Sequence, residues 1–265
     1  MIKRLFGAAA VIACILVAAW WLRQQRAAVG GNGPQVVSRE DHRWLDGLYS
    51  RNPREVQAAT DELTKRGEAA VPAIQAALRD PRSEAEQLKS ALKACTLLGK
   101  VAAPAIDEVA AVLTEEGLTT EAAIALSNMG PDAFRPLRDA LSSDDVIVRR
   151  ESLRSIGKLR ERAPLDPAAV TPLLLRSLRD ADGTVRAVAA TYLGIVGSAA
   201  DQAVPALATG LSDESPEVRR EAATALGAFG AAAAPALPAL KKASSDRNED
   251  VAREAGRAML RVQQK

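Results

Sequence analysis

Apolar positions downstream of residue 52 recur at helical spacing in two alternating kinds of segment. In VRAVAATYLGIVG (185–197) and VRREAATALGAFG (218–230), they fall at i, i+3, i+4 and i+7, which is typical of an amphipathic helix ending in a glycine region. In PAIQAALRD (72–80) and PALPALKKA (235–243), a proline occupies the first turn, where its missing N–H costs little. The pattern therefore predicts helical hairpins, each with a first helix and a proline-marked second helix.

The hairpins repeat with a period of about 33 residues. Six prolines mark the second helices at intervals of 32, 32, 36, 33 and 33 residues: Pro72, Pro104, Pro136, Pro172, Pro205 and Pro238. Because one hairpin cannot bury its apolar stripe alone, neighbours must stack into a continuous core. The expected fold class is all-α, an α-solenoid of about six hairpins. The predicted repeat ranges are 52–80, 81–117, 118–145, 146–180, 181–213 and 214–246.

Capping helices are predicted at both ends of the array, residues 52–246. Residues 38–51 open with Ser-Arg-Glu-Asp, which resembles a helix start. They carry one apolar stripe that is expected to plug the first repeat: Trp44, Leu45, Leu48 and Tyr49. Residues 247–265 form a final helix with the polar face that a terminal repeat needs. Residues 27–37, which begin Ala-Ala-Val-Gly-Gly, are predicted to be a flexible linker.

Residues 1–26 differ from the rest and are predicted to be a membrane segment. Residues 5–22 form an uncharged run of 18 residues with basic residues on both sides. At 1.5 Å per residue this run spans roughly 27 Å, near the lower limit for a bilayer core. Trp20 and Trp21 lie where an interfacial aromatic belt is expected. We therefore expect a single N-terminal transmembrane helix with both tryptophans at the membrane interface.

The same segment leaves other interpretations open, namely a cleaved signal peptide and a lipoprotein modified at Cys14. The apolar run is long for a signal and continues past Cys14, which favours an uncleaved anchor. A short basic tail is awkward to translocate, so the amino terminus is placed in the cytoplasm. The expected location is the bacterial inner membrane, single-pass, with an extracytoplasmic solenoid. The alternatives are a secreted or periplasmic protein after signal cleavage, and a cytoplasmic solenoid docked on the inner leaflet.

Composition argues against an enzyme. The chain has 54 alanines, two cysteines and a single histidine, His42, with no identifiable nucleophile or metal ligand around it. Cys95 falls on an apolar helical face, as a small core residue does. Four of the 35 Lys and Arg residues lie in the membrane segment, so 31 basic residues face 33 acidic ones beyond it. We expect no metal, no cofactor and no nucleic-acid partner.

Residues 180–194 have the pattern D-x4-V-R-x2-A-A-x2-L-G, and the pattern recurs at 213–227. This pattern resembles the bacterial HEAT-like repeat. The resemblance covers roughly residues 52–265. It implies a solenoid that acts as a scaffold or binding surface. It also implies a ladder of hydrogen bonds in the turns, and the pairs carried over are Asp180 with Arg186 and Asp213 with Arg219. Ser143 replaces the aspartate in the fourth repeat, and Ala252 replaces the arginine in the last.

Some proteins with similar repeats are enzymes, which defines the alternative function. Deoxyhypusine hydroxylases use paired His-Glu motifs, and this sequence has none. HEAT-like DNA glycosylases need a basic surface, which the charge balance does not provide. Phycobilin lyases carry similar repeats, but only five aromatic residues lie beyond the membrane segment to form a chromophore pocket. A HEAT-like lyase or enzyme-maturation factor that binds a chromophore or small ligand remains the alternative.

A solenoid usually binds along the concave face formed by its second helices. We predict an exposed column of residues at the third and fourth positions after each repeat proline, or the second and third after Pro136. This column runs from acidic near the second repeat to basic near the C-terminal end. A mixed-sign groove favours a protein or peptide over a uniform phosphate backbone. The candidate protein-binding residues are Asp107, Glu108, Arg138, Arg176, Lys241 and Lys242. We therefore predict a membrane-tethered, non-enzymatic scaffold for protein–protein interaction.

A second basic feature lies on a predicted first helix. Arg150, Arg154 and Lys158 are spaced at i, i+4 and i+8 and form one positive stripe. A solvated outer face is the simpler interpretation. Contact with acidic lipid or with an acidic partner is the alternative.

Overall fold

The computed structural model describes residues 44–163 and 165–264, which form helices joined by turns and contain no β-strand. The predicted all-α class is confirmed for these residues. The chain divides into two compact units, Met1–Pro136 and Leu137–Lys265. The predicted membrane segment 1–26 with Trp20 and Trp21, the linker 27–37 and His42 lie outside the described residues.

The N-terminal unit begins, within its described part, with helical residues 44–47. Its further helices are α1 Pro53–Arg66, α2 Val71–Arg79, α3 Ala85–Leu98, α4 Ile106–Ala111 and α5 Thr119–Asn128. Short 3₁₀ segments occupy Gly67–Ala70, Gly99–Ala105 and Pro131–Ala133. Helix α6, Phe134–Ala140, contains the boundary between the units.

Local sequence fixes where these helices start. At α1 the Asn52 side chain accepts a hydrogen bond from the N–H of Arg54, and Pro53 takes the first position, where its lack of an N–H costs nothing. At α3 Glu84 and Gln87 form a reciprocal capping box. These contacts satisfy backbone N–H groups that a helix start leaves without partners.

The apolar stripe after residue 43 is largely buried in the N-terminal unit. Trp44, Leu45 and Leu48 are buried, and the guanidinium of Arg66 lies 5.3 Å from the centre of the Trp44 ring. Tyr49 departs from the predicted stripe, because it remains 44% exposed with the Lys89 ammonium 5.8 Å from its ring. Three of the four stripe residues are therefore buried, and the ring of the fourth packs against a lysine ammonium instead.

The C-terminal unit continues with seven further helices in its described part. They are α7 Val146–Arg162, α8 Pro167–Ser177, α9 Gly183–Val196, α10 Ala200–Gly210, α11 Pro216–Phe229, α12 Leu237–Ala243 and α13 Glu249–Gln263. A 3₁₀ segment, Gly230–Ala236, precedes α12. First helices pack side by side, α9 on α11 and α11 on α13, and second helices α8, α10 and α12 each pack against the first helix that follows.

Glycine allows the first helices to approach closely. A Cβ added to Gly194 would lie 2.8 Å from the backbone Cα of Ala225 on the next first helix, and one added to Gly157 would lie 2.1 Å from the ring of Tyr192. The sequence predicts that the glycine regions end these helices. The helices continue past Gly194 and Gly227 and end at the last glycine of each region, Gly197 and Gly230, both with positive φ. The interior glycines therefore serve packing between repeats.

Three arginine–aspartate pairs connect successive repeats of the C-terminal unit, and we call them the ladder: Arg149 with Asp180, Arg186 with Asp213, and Arg219 with Asp246. In each pair Nε and Nη2 donate to the two carboxylate oxygens at 2.8–3.0 Å. Nη1 donates to two backbone carbonyls in the turn before its own helix. Each guanidinium thus donates hydrogen bonds both to the turn before its own helix and to the aspartate in the turn of the next repeat.

The ladder corrects the pairing that the resemblance implies. Asp180 was expected to bind Arg186, but its carboxylate accepts from Arg149 of the preceding repeat, while Arg186 binds Asp213 of the next. Arg186 meets its own turn through the carbonyls of Asp180 and Ala181 at 2.9 Å. Since Arg149 binds the backbone carbonyl of Ser143, the serine there does not prevent this contact. The aspartate of each turn therefore accepts hydrogen bonds from the arginine of the preceding repeat.

Acidification is expected to destabilise the C-terminal unit through the ladder carboxylates. Hydrogen bonds from Arg149 and Arg219 lower the pKa values of Asp180 and Asp246. Burial alone would raise the pKa of Asp213, but the hydrogen bonds from Arg186 and the Ser215 N–H outweigh it and lower the pKa. A carboxylate whose pKa is lowered in the folded state stabilises the fold at pH values above its ordinary pKa of 3.8. This stabilisation is lost as the pH falls through the folded-state pKa.

The free energy of unfolding, measured by urea titration, should therefore fall below about pH 4. The Asp213→Asn variant should be less stable at neutral pH and should lose less stability on acidification. An unchanged acid dependence in this variant would show that its carboxylate does not contribute.

One helical stretch of the described part, Pro216–Ala243, is apolar and long enough to cross a membrane by length and composition alone. It comprises α11, the following 3₁₀ segment and α12, and 39% of its apolar window is buried. The stretch is thus one helical hairpin of the repeat array.

Candidate partner-binding groove

The predicted binding column begins in the N-terminal unit with Asp107 and Glu108 on α4. Asp107 is exposed, but the prediction that Glu108 is exposed is wrong, because only 3% of this residue is accessible. Its Oε1 accepts hydrogen bonds from Arg79 and Gln75, both on α2. The fourth position after Pro104 therefore faces the preceding second helix. Glu108 thus acts in packing between repeats, and Asp107 alone remains available to a partner there.

Four predicted residues belong to the C-terminal unit, and all four are exposed: Arg138, Arg176, Lys241 and Lys242. Arg138 and Arg176 line one groove between the second helices α6 and α8 and the turns that follow them. Lys241 and Lys242 lie on α12 and are not part of this groove. The structure therefore brings two of the predicted residues together.

The groove is open to solvent and has a volume of about 830 Å³. This volume is in the range of sites that hold small ligands or peptide side chains. The lining residues are Arg138, Asp139, Leu141, Ser142, Ser143, Arg149, Leu173, Leu175, Arg176, Ser177, Arg179, Asp180 and Ala181. The lining therefore combines charged groups with three leucines.

Two of the four groove arginines are already bound by carboxylates. Arg149 is held in the ladder by Asp180, whose hydrogen bond raises the pKa of the guanidinium. Arg138 donates to Asp139 through Nε and Nη2 at 3.0 and 2.8 Å, and both side chains are about half exposed. These two pairs contribute no net charge to the lining.

The other two arginines, Arg176 and Arg179, give the groove its excess positive charge. Both are exposed, and neither forms an ion pair with another residue of the described ranges 44–163 and 165–264. The predicted column misses Arg179, which follows Pro172 by seven residues. The signal that could have found it is the spacing of three from Arg176, which places residues on one face of a helix.

The basic stripe on α7 is partly neutralised by a buried acid. Glu151 is only 5% exposed and accepts from Nε of Arg150 at 2.9 Å and from Nη1 of Arg154 at 3.1 Å. Two of the three stripe residues are therefore held by a carboxylate within their own helix.

No cluster of metal-ligating side chains occurs within the described residues. Cys95 is fully buried on α3, and this burial, together with the nearby Glu108 carboxylate, raises the pKa of its thiol to about 12. A thiol with such a pKa is almost entirely protonated at neutral pH and is a poor nucleophile.

Cys95 should accordingly resist alkylation in the folded protein. In a Cys14→Ser variant, iodoacetamide at pH 8 should label no thiol under native conditions and one thiol after denaturation, as counted by intact mass. Rapid native labelling would contradict the burial of this side chain. The unmodified fraction should fall in step with unfolding by urea, since the thiol becomes accessible only then.

A family model agrees with the repeat architecture of the C-terminal unit. Residues 170–261 match the HEAT repeats family. Similar solved structures include an engineered protein, at 21% identity over 85% of this chain and 97% of that chain, with a TM-score of 0.44. A designed armadillo repeat protein in complex with the peptide (KR)4 has 21% identity over 85% and 100%, with a TM-score of 0.46.

The complex of CpcE and CpcF of phycocyanin lyase from Nostoc sp. PCC7120 has 23% identity over 58% of this chain and 98% of that chain, with a TM-score of 0.49. The chain has no significant match among curated proteins. The family match, together with the stacked hairpins, supports a HEAT-like repeat protein, and it covers α9 to α12 with parts of α8 and α13.

Proposed function

We propose that this protein is a non-enzymatic scaffold that binds a protein or peptide partner along its second helices. The observation that carries the proposal is the groove between α6 and α8, where Arg176 and Arg179 are exposed without ion-pair partners in the described part of the chain. Packing explains the ladder and the interior glycines, but it does not explain these two arginines. Exposed charged groups beside apolar side chains are typical of a surface that recognises another protein.

The proposal includes a membrane tether. The uncharged run of 18 residues near the amino terminus and the flanking basic residues support it. In this proposal the tether crosses the bacterial inner membrane once and the repeats are extracytoplasmic. A tether would hold the groove near membrane-bound partners and raise their effective concentration.

The alternative is a HEAT-like lyase or enzyme-maturation factor. Such a protein needs a pocket that encloses a chromophore or small ligand away from water. The groove is open and lined mainly by charged and polar side chains, so it favours a macromolecular partner. A small molecule in place of a protein would be the outcome that supports the alternative.

Site-specific crosslinking in cells tests the scaffold. A photoreactive amino acid at Ser142, an exposed uncharged residue that lines the groove, should capture a recurrent protein, whereas the same amino acid at Thr224, an exposed position on first helix α11, should not. Protease added to intact spheroplasts should cleave a full-length chain tagged at Lys265, which would place the repeats outside the cytoplasm. Capture from neither position, or protection from protease, would contradict the partner or the orientation respectively.

A further inference from the structure

We propose that the groove between α6 and α8 binds an acidic protein segment, with Arg176 and Arg179 as the residues that recognise its carboxylates. This proposal rests on the proposed function and names the chemistry of the partner. It starts from the charge of the lining, in which four arginines face two aspartates. Because Asp139 and Asp180 already hold Arg138 and Arg149, the uncompensated charge is confined to Arg176 and Arg179.

The geometry of α8 suits an extended segment. Arg176 lies inside the helix and Arg179 follows it three positions later, in the turn that begins at the helix end, and both residues line the groove. Acidic side chains two residues apart on an extended chain lie on one side, about 7 Å from each other. A segment with the pattern acidic–any–acidic can therefore place one carboxylate at each guanidinium.

The remaining lining adds an apolar contact. Leu141, Leu173 and Leu175 line the same groove, and all three are half-buried, so they retain surface for a partner to cover. An apolar residue two positions after the second acid would lie on the same side of an extended segment. Burial of this residue against the leucines would add affinity that charge alone does not supply.

A nucleic acid suits the groove less well than an acidic segment. A phosphate backbone is bound by basic groups along its length, whereas the uncompensated positive charge here is confined to Arg176 and Arg179. The lining also holds no aromatic side chain on which a base could stack. An anionic bilayer is a flat surface, whereas these arginines line a recess between two helices. The observations therefore favour a protein segment over phosphate in a polymer or in lipid headgroups.

Peptide binding to the full chain in detergent or nanodiscs tests the proposal. The probe is a fluorescein-labelled peptide, Gly-Glu-Ser-Glu-Ser-Leu-Gly, and its control has lysine in place of both glutamates. The glutamate peptide should bind, as measured by anisotropy, and the lysine peptide should not. The double variant Arg176→Glu/Arg179→Glu should weaken binding about tenfold or more, and added salt should weaken it in the wild type.

A matched control separates the groove from general charge. The double variant Lys65→Glu/Lys93→Glu makes the same change of net charge on exposed residues of first helices α1 and α3, outside the groove, and it should bind the glutamate peptide as the wild type does. Equal weakening by both double variants would overturn the proposal, because long-range charge would then explain binding. Circular dichroism and urea unfolding establish that each variant is folded.

The failure of this proposal and that of the proposed function give different results. If crosslinking at Ser142 captures a protein but the glutamate peptide does not bind, the scaffold stands and the acidic partner is wrong. If vesicles containing anionic phospholipid bind through Arg176 and Arg179 while the peptide does not, the partner is lipid and this proposal is overturned. If the peptide binds but crosslinking captures no protein in cells, the groove chemistry stands and the scaffold is wrong.

Discussion

Replacing Arg186 with alanine is expected to lower the free energy of unfolding by about 3–5 kcal/mol. This guanidinium is 9% exposed and holds both carboxylate oxygens of Asp213 together with two backbone carbonyls of its own turn. Alanine would leave a largely buried carboxylate without its counter-ion and two carbonyls without a donor. Such uncompensated groups are more costly than the loss of the contact itself.

Urea unfolding followed by far-UV circular dichroism measures this effect, and dichroism is preferable to tryptophan fluorescence because all three tryptophans precede residue 45. The matched control is Arg253→Ala on α13, since Arg253 is about half exposed and binds the exposed Asp250; it should cost less than about 1 kcal/mol. Arg186→Lys keeps the charge but loses the planar fork, so it should lie between wild type and alanine. Similar small costs for Arg186→Ala and Arg253→Ala would show that the ladder does not stabilise the repeats.

Replacing Gly194 with alanine is expected to destabilise the protein by about 1–3 kcal/mol, even though alanine is the better helix former. The added methyl would lie 2.8 Å from the Cα of Ala225, so α9 and α11 would have to move apart along their shared interface. Backbone on the opposing helix cannot give way as the end of a flexible side chain can.

Gly256 provides the control for this substitution. It lies inside α13 with no atom within 4 Å of an added Cβ, so Gly256→Ala should stabilise the protein by about 0.5–1 kcal/mol. The two alanine variants are therefore expected to shift the midpoint of urea unfolding in opposite directions. A shift in the same direction for both would contradict the close approach of the first helices at Gly194.

Part of the groove was predictable and part was not. Counting from the repeat prolines identifies Arg138, two positions after Pro136, and Arg176, four positions after Pro172, because similar positions on successive second helices lie side by side when hairpins stack. The same count predicts that Glu108 is exposed, and this is wrong because the six-residue α4 directs Glu108 toward Arg79 and Gln75 of α2. Arg179 lies beyond the counted positions, and only its place after α8 brings it into the groove.

The all-α class and the period of the hairpins follow from local sequence alone, because apolar spacing, proline in the first turn and polar caps act over a few neighbouring residues. Asp145, Asp182 and Asn248 illustrate this, since each accepts hydrogen bonds from backbone N–H groups at the start of its own helix. Such contacts need no tertiary structure to be inferred.

The pairing of side chains across repeats depends instead on how the hairpins stack. A periodic sequence places an aspartate and an arginine in every unit, but it does not state whether the arginine reaches the aspartate of its own turn or of the next. Stacking puts Asp213, from the following turn, within 2.8–2.9 Å of Arg186 and leaves the carbonyls of its own turn for the remaining donor group. The same stacking buries Glu108 and leaves Arg176 and Arg179 exposed, because burial depends on the neighbouring hairpin rather than on the residue's own helix.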